Sequence, residues 1–142
     1  MKTNQASAVW QGKVKDGKGQ VTIPSMGQEV SYSYSSRFEE DRGTNPEELI
    51  AAAHAQCFSM ALADYLAAEG YDPQKVVTEA HVVLVRKNGH TSISRSELVC
   101  EAVVPDIPED TFRKLAEEAR KNCTVSRALS EVEITLDARL SN

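Results

Sequence analysis

Asn45-Pro46-Glu47-Glu48-Leu49-Ile50-Ala51-Ala52-Ala53-His54-Ala55-Gln56-Cys57-Phe58-Ser59-Met60-Ala61-Leu62-Ala63 is the stretch on which the fold of this 142-residue chain turns. It opens with helix-start chemistry. Asn accepts from a free backbone N–H, Pro suits the first helical position, and two glutamates complement the positive helix end. From Leu49 to Ala63 the only polar residues are His54, Gln56 and Ser59, and none carries a fixed charge. A helix apolar on every face belongs in a core rather than on a surface. Ala51, Ala52, Ala53, Ala55, Ala61 and Ala63 offer so little side chain that other segments can approach closely. Cys57 sits in the middle. By pattern alone it is either a small hydrophobe filling space, the ordinary role of a lone buried Cys, or a shielded nucleophile.

Upstream, residues 8–15 read as a strand, and the Asp16-Gly17-Lys18-Gly19 cluster is a turn signal. Residues 20–23 and 29–35 read as short strands, the second alternating Val30, Tyr32 and Tyr34 with serines, so that one face is buried and one wet. This meander carries too few large apolar residues to stand alone and should pair with something further along or with another chain.

Downstream, Glu69-Gly70-Tyr71-Asp72-Pro73 ends the helix. Two β-type runs follow, residues 76–86 and 91–104, joined by Lys87-Asn88-Gly89-His90, whose Asn-Gly is a strong hairpin signal. Cys100 alternates with Leu98, Ala102 and Val104 and is assigned to packing. A second helix over 110–121 places Phe112, Leu115, Ala116 and Ala119 on one face and a solvated charged set on the other. Cys123, a helical turn over 124–129 and a strand over 132–136 close the chain. Strands, long helix, hairpin, helix, strand make an α+β fold of mostly antiparallel sheets, in a single domain over 1–142.

Composition excludes several functions. With 41% hydrophobic and 26% charged residues the chain resembles an ordinary water-soluble domain. A net charge of -5 and no basic run argue against a nucleic-acid surface. The apolar run over 49–63 is short for a bilayer span and flanked by acids, so no membrane role is expected. The N-terminus lacks the apolar stretch of a secretory signal, which places the protein in the cytoplasm. There, Cys57, Cys100 and Cys123 are unlike a structural disulfide framework, and catalytic, redox and packing roles compete.

His54 and Cys57, three apart, are half of a possible metal site whose other half is missing. His81 and His90 bring no companion pattern, and structural zinc wants four converging ligands, so no metal is assigned. No phosphate-binding loop, dinucleotide fingerprint or nucleophile elbow occurs, and no cofactor is implied. A thiol site remains. The thiolate is the nucleophile, and when buried it needs a cation to hold its pKa down, a task suited to Arg. Arg37 is a candidate, although pattern alone does not single it out.

Two motifs carry a family resemblance. The first runs through Arg37-Phe38-Glu39, Gly43-Thr44-Asn45-Pro46-Glu47-Glu48-Leu49 and the helix to Leu62. The second is Ala119-Arg120-Lys121-Asn122-Cys123-Thr124-Val125-Ser126-Arg127-Ala128-Leu129, followed by Val132-Glu133-Ile134-Thr135-Leu136. Together they resemble the osmotically inducible protein C (OsmC) branch of the OsmC/Ohr superfamily of thiol peroxidases, with similarity from the Trp10 strand to the C-terminus. The resemblance implies an OsmC-like fold around a long buried central helix and an intertwined homodimer with active sites at the subunit interface. It implies reduction of organic hydroperoxides, and of hydrogen peroxide less well, in oxidative and osmotic stress. By position, Cys57 matches the peroxidatic cysteine, Cys123 the resolving one that closes a disulfide, Arg37 the thiolate-activating arginine and Glu47 the carboxylate that orients it. A dithiol, for which the family suggests a lipoyl type, regenerates both thiols. Thr124 departs from the Pro common after the second cysteine, which relaxes the turn presenting Cys123.

Two other readings compete: a non-enzymatic dimer binding an apolar ligand in the alanine-lined space, and a thiol sensor oxidised once as a signal. Under the peroxidase reading Glu47 acts on Cys57 only through Arg37. On one straight helix their ten-residue separation spans about 15 Å, which points to an arginine arriving from the partner subunit.

Overall fold

The computed structural model describes every residue from Met1 to Asn142, in two compact units, Met1–Leu49 and Ile50–Asn142. The first is built on an antiparallel meander of β1 (Ser7–Gln11), β2 (Lys18–Ile23) and β3 (Gln28–Tyr32). Gly19 lies opposite both Trp10 and Tyr32 in the register. A Cβ there would come within 2.6 Å of the Tyr32 ring, so glycine is what lets the Trp10 and Tyr32 rings meet, at 5.5 Å between centroids.

Two expected strands are shorter than their patterns suggested. The first stops at Gln11, where Gly12 turns the chain at φ 96°. The third stops at Tyr32 because Ser33 starts a helix. Its hydroxyl accepts from the Ser36 N–H, and the Ser36 hydroxyl accepts in return from the Ser33 N–H at 2.8 Å. This reciprocal cap outweighs the period-2 alternation and makes Tyr34–Phe38 a helix, α1. Arg37 therefore stands on a helix, not beyond a strand. No apolar side chain of the Met1–Leu49 unit belongs to the buried core, in keeping with the thin meander expected.

The long helix α2 runs from Pro46 to Ala68, 23 residues, and so exceeds the run read from the sequence. By length and composition alone it is sufficient to cross a membrane. Its apolar residues have another use here: Phe58, Leu62 and Leu66 are fully buried in the core of the second unit. Gly70, at φ 88°, ends the helix. Its N–H bonds to the Ala67 carbonyl, and the Tyr71 N–H reaches back to Leu66, the paired contacts of a Schellman stop.

The second sheet has the order β4-β5-β6. β4 (Lys75–Lys87) and β5 (His90–Val103) form the expected hairpin, with Asn88 and Gly89 both at positive φ as a tight two-residue turn requires. β6 (Glu133–Leu140) pairs with β5 in parallel, unlike the other strand pairs. Parallel strands need a crossover, supplied here by α3 (Glu109–Asn122) and α4 (Thr124–Ala128). Leu98, Cys100 and Ala102 from β5 meet Phe112, Leu115, Ala116 and Ala119 from α3 in the core.

α2 departs from expectation in one respect. The stripe His54, Phe58, Leu62, Leu66 is fully buried, while Ala52, Gln56 and Met60 on the other side are exposed, Met60 at 70%. A single three-stranded sheet with its helices covers one side of such a helix. Its other side is left uncovered by the elements of this second unit.

Candidate thiol site

The four residues singled out from the sequence fall into two pairs, one in each unit. Arg37 lies in the last turn of α1 and Glu47 in the first turn of α2. The loop between them is tied back by the Ser36 hydroxyl, which donates to the Thr44 carbonyl at 2.8 Å, and by the Asn45 amide, which donates to the Ser36 carbonyl at 3.0 Å. Asn45 also accepts from the Glu48 N–H at 2.8 Å, the helix-start role read from the sequence.

With the loop so fixed, Arg37 Nη2 donates to Glu47 Oε1 at 2.7 Å, and Nε reaches both carboxylate oxygens at 3.2 Å. Glu47 hydrogen bonds and charge push the Arg37 pKa up, against the opposing effect of burial. The Glu47 side chain is 9% exposed and that of Arg37 36%. A pair this unevenly buried contributes little net stability, and its planar fork serves better to aim a cation. The Phe38 ring lies 5.1 Å from the guanidinium carbon. Trp10, Tyr32, Tyr34 and Phe38 join Arg37 around a cleft of about 220 Å³. A fixed positive charge thus sits in a mainly aromatic wall.

The second pair is Cys57 and Cys123. All three cysteines are free thiols. Cys57, midway along α2, is partly buried against the core, and Cys123 is 3% exposed. Cys123 closes α3, its N–H bonding to the Ala119 carbonyl, and opens α4, its sulfur accepting from the Ser126 N–H at 3.4 Å. Thr124 is the first residue of α4. A first-turn N–H has no partner inside the helix, so the missing proline costs this turn no hydrogen bond. Burial pushes the Cys123 thiol up, the Ser126 hydroxyl and N–H pull it down, and hydrogen bonding and charge from Cys57 push it up again. Cys57 packs against the same core cluster to which Cys123 belongs. Cys100 is fully buried, and burial raises its pKa despite a hydrogen bond from Thr78; it is packing, as its strand neighbours indicated.

His54 is fully buried, and both ring nitrogens are taken: Nδ1 lies 2.7 Å from the Ser96 hydroxyl and Nε2 2.8 Å from that of Ser126. The half metal site suggested by the His54–Cys57 spacing has no free nitrogen to offer. Burial lowers the His54 pKa, which favours a neutral ring. Sequence reasoning missed both partners because they lie 42 and 72 residues away. One signal was present. Ser96 occupies the inward register of β5 shared with Leu98, Cys100 and Ala102, and a polar residue buried in an apolar row needs a partner.

A family model described as OsmC-like protein matches residues 39–137. The Peroxiredoxin OsmC of Escherichia coli strain K12 is 41% identical over 139 residues, which cover 97% of this chain and 96% of that protein. Among solved structures, the organic hydroperoxide resistance protein OhrB of Bacillus subtilis superposes with a TM-score of 0.74 at 23% identity, covering 94% of this chain and 97% of its own. An organic hydroperoxide resistance protein from Elizabethkingia anophelis, with thiocyanate bound, gives 0.69 at 25% identity, covering 100% and 99%.

Proposed function

The chain belongs to the OsmC-like protein family, and from that membership we propose that it is a thiol peroxidase reducing organic hydroperoxides, and hydrogen peroxide less well, in defence against oxidative and osmotic stress. The observation that carries the reading is that Cys57 and Cys123 are both free thiols and share one core cluster. One partly buried thiol with one almost fully buried suits a sulfur that meets substrate and a second that waits for it.

Arg37, aimed by Glu47, stabilises the Cys57 thiolate. The thiolate attacks the distal peroxide oxygen, the O–O bond breaks, and the alkoxide leaves with a proton as alcohol, leaving Cys57 as a sulfenic acid. Cys123 displaces hydroxide from that sulfur, forming the disulfide and water. A dithiol of lipoyl type reduces the bridge by two exchange steps. The aromatic cleft beside Arg37 favours a substrate with an apolar body over hydrated hydrogen peroxide. We place this cycle in the cytoplasm, where dithiol reductants hold cysteines as thiols.

The working unit in this proposal is an intertwined homodimer. The uncovered apolar side of α2, with Met60 exposed, and a meander without buried apolar side chains both call for a second copy. Sedimentation at micromolar concentration should give a dimer; a stable monomer contradicts this part. The enzymatic reading is tested by steady-state consumption of cumene hydroperoxide with dihydrolipoamide. Many turnovers per chain are expected. A single turnover means a sensor, and none means a binding fold.

A further inference from the structure

Four side chains from four parts of the second unit form a continuous buried line. Ser96 of β5 meets His54 of α2 at 2.7 Å, His54 meets Ser126 of α4 at 2.8 Å, and Ser126 meets the Cys123 sulfur at 3.0 Å. Ser96 and His54 are fully buried, Cys123 is 3% exposed and Ser126 4%. We propose that this line is a proton relay for the resolving cysteine, His54 taking the Cys123 proton through Ser126 and returning it to the departing hydroxide. The inference rests on the peroxidase reading and assigns His54 and Ser126 as positioning residues for its second step.

A neutral imidazole donates at one nitrogen and accepts at the other. With Nδ1–H donating to Ser96, Nε2 accepts from the Ser126 hydroxyl, which leaves the Ser126 oxygen to accept from the Cys123 S–H. With the sulfur ionised, the Ser126 O–H turns to the sulfur beside its own N–H, and Nε2–H donates to the Ser126 oxygen. The same four groups satisfy both states of the thiol.

The chemistry requires such a change. A buried Cys123 thiol must lose its proton to attack, and its surroundings hold that proton on. In the step proposed, the S–H proton moves to Ser126 as the Ser126 proton moves to His54. The Cys123 sulfur then bonds to the Cys57 sulfur, the Cys57 S–O bond breaks, and the hydroxide takes a proton from the Ser126 hydroxyl, which His54 reprotonates, and leaves as water. Thiol plus sulfenic acid become disulfide plus water, with no external acid or base. The titratable groups along the line are Cys57 and His54 on α2 and Cys123 between α3 and α4. Ser96 is flanked in the sheet by Val82 of β4 and Ile134 of β6, both apolar, and burial alone shifts His54.

The same contacts would also pin α2 to β5 and α4 mechanically, so the test needs a readout that a structural role does not move. Cys57 sulfenic acid and disulfide are followed separately by rapid mixing with cumene hydroperoxide, dimedone trapping and mass spectrometry. In the wild type, disulfide formation should be nearly independent of pH over about pH 6 to 8.5, because the base is internal. In His54→Gln, which keeps hydrogen bonding but cannot hold the proton, it should slow by about tenfold or more at pH 7 and rise by about tenfold per pH unit, as solvent hydroxide replaces the base. Dimedone-trapped Cys57 should accumulate. Ser126→Ala, a smaller change that cuts the line at the sulfur, should give the same profile. On the unmodified protein, disulfide formation should slow at least about twofold in deuterium oxide. Wild-type rate and pH profile in both variants, or no deuterium effect, overturns the relay. If wild-type Cys57 forms no sulfenic acid, the peroxidase reading has failed and the relay falls with it.

Discussion

Cys57→Ser is expected to leave peroxide consumption at the uncatalysed background, whatever the dithiol concentration. The serine hydroxyl keeps the size of the thiol on α2, so the core around Phe58 and Leu62 should persist. It cannot provide an anion near neutral pH, because only the thiol titrates in reach of that range. Cys123→Ser should behave differently. It should consume about one equivalent of peroxide and then stall, with Cys57 held as a sulfenic acid that excess peroxide carries on to the sulfinic acid. Cys100→Ser should turn over nearly as the wild type, since Cys100 is fully buried in the apolar inward row of β5 and meets no substrate. Equal losses in all three variants, with lowered thermal midpoints, would mark folding damage and remove the assigned roles. Peroxide consumption by each variant, with the oxidation state of each cysteine read by mass spectrometry, separates these outcomes.

Arg37→Ala should lower the rate of Cys57 oxidation by about two orders of magnitude, the usual scale for loss of a fixed charge at a reacting anion. Arg37→Lys should not restore it. A lysine is a point charge and cannot lie flat against both Glu47 oxygens while facing a sulfur, as the fork in Arg37 can. Glu47→Ala should cost less, about tenfold, because the cation remains but is no longer aimed. If Arg37 serves the Cys57 of the other chain, mixing Cys57→Ser chains with Arg37→Ala chains should recover activity. Each heterodimer then carries one site with both defects and one intact site. Verified heterodimers without activity would put both residues on one chain.

The elements legible in the sequence were those specified by local chemistry. The Asn45-Pro46 start and the Gly70 stop bracket α2, and Asn88-Gly89 makes the β4–β5 turn at the positive φ angles that this pair tolerates. The cysteines could be sorted because Cys100 had strand neighbours to pack with, whereas the pairing of Cys57 with Cys123 came only from a family pattern. Arg37 was harder. Its strand-like surroundings concealed the Ser33–Ser36 cap that makes α1, since alternating serines satisfy either reading. The parallel pairing of β6 was not legible because it depends on where α3 and α4 deliver the chain. His54 was visible as a polar residue in an apolar helix, but its partners arrive from β5 and α4, and nothing local announces them.

The central claim, that Cys57 and Cys123 form one redox pair, is most directly tested by counting thiols after one equivalent of cumene hydroperoxide per chain. The free thiols should fall from the three of the resting protein to one per chain, with peptide mapping showing a Cys57–Cys123 bridge and a free Cys100. A bridge through Cys100, or three thiols surviving while peroxide remains unconsumed, would contradict it.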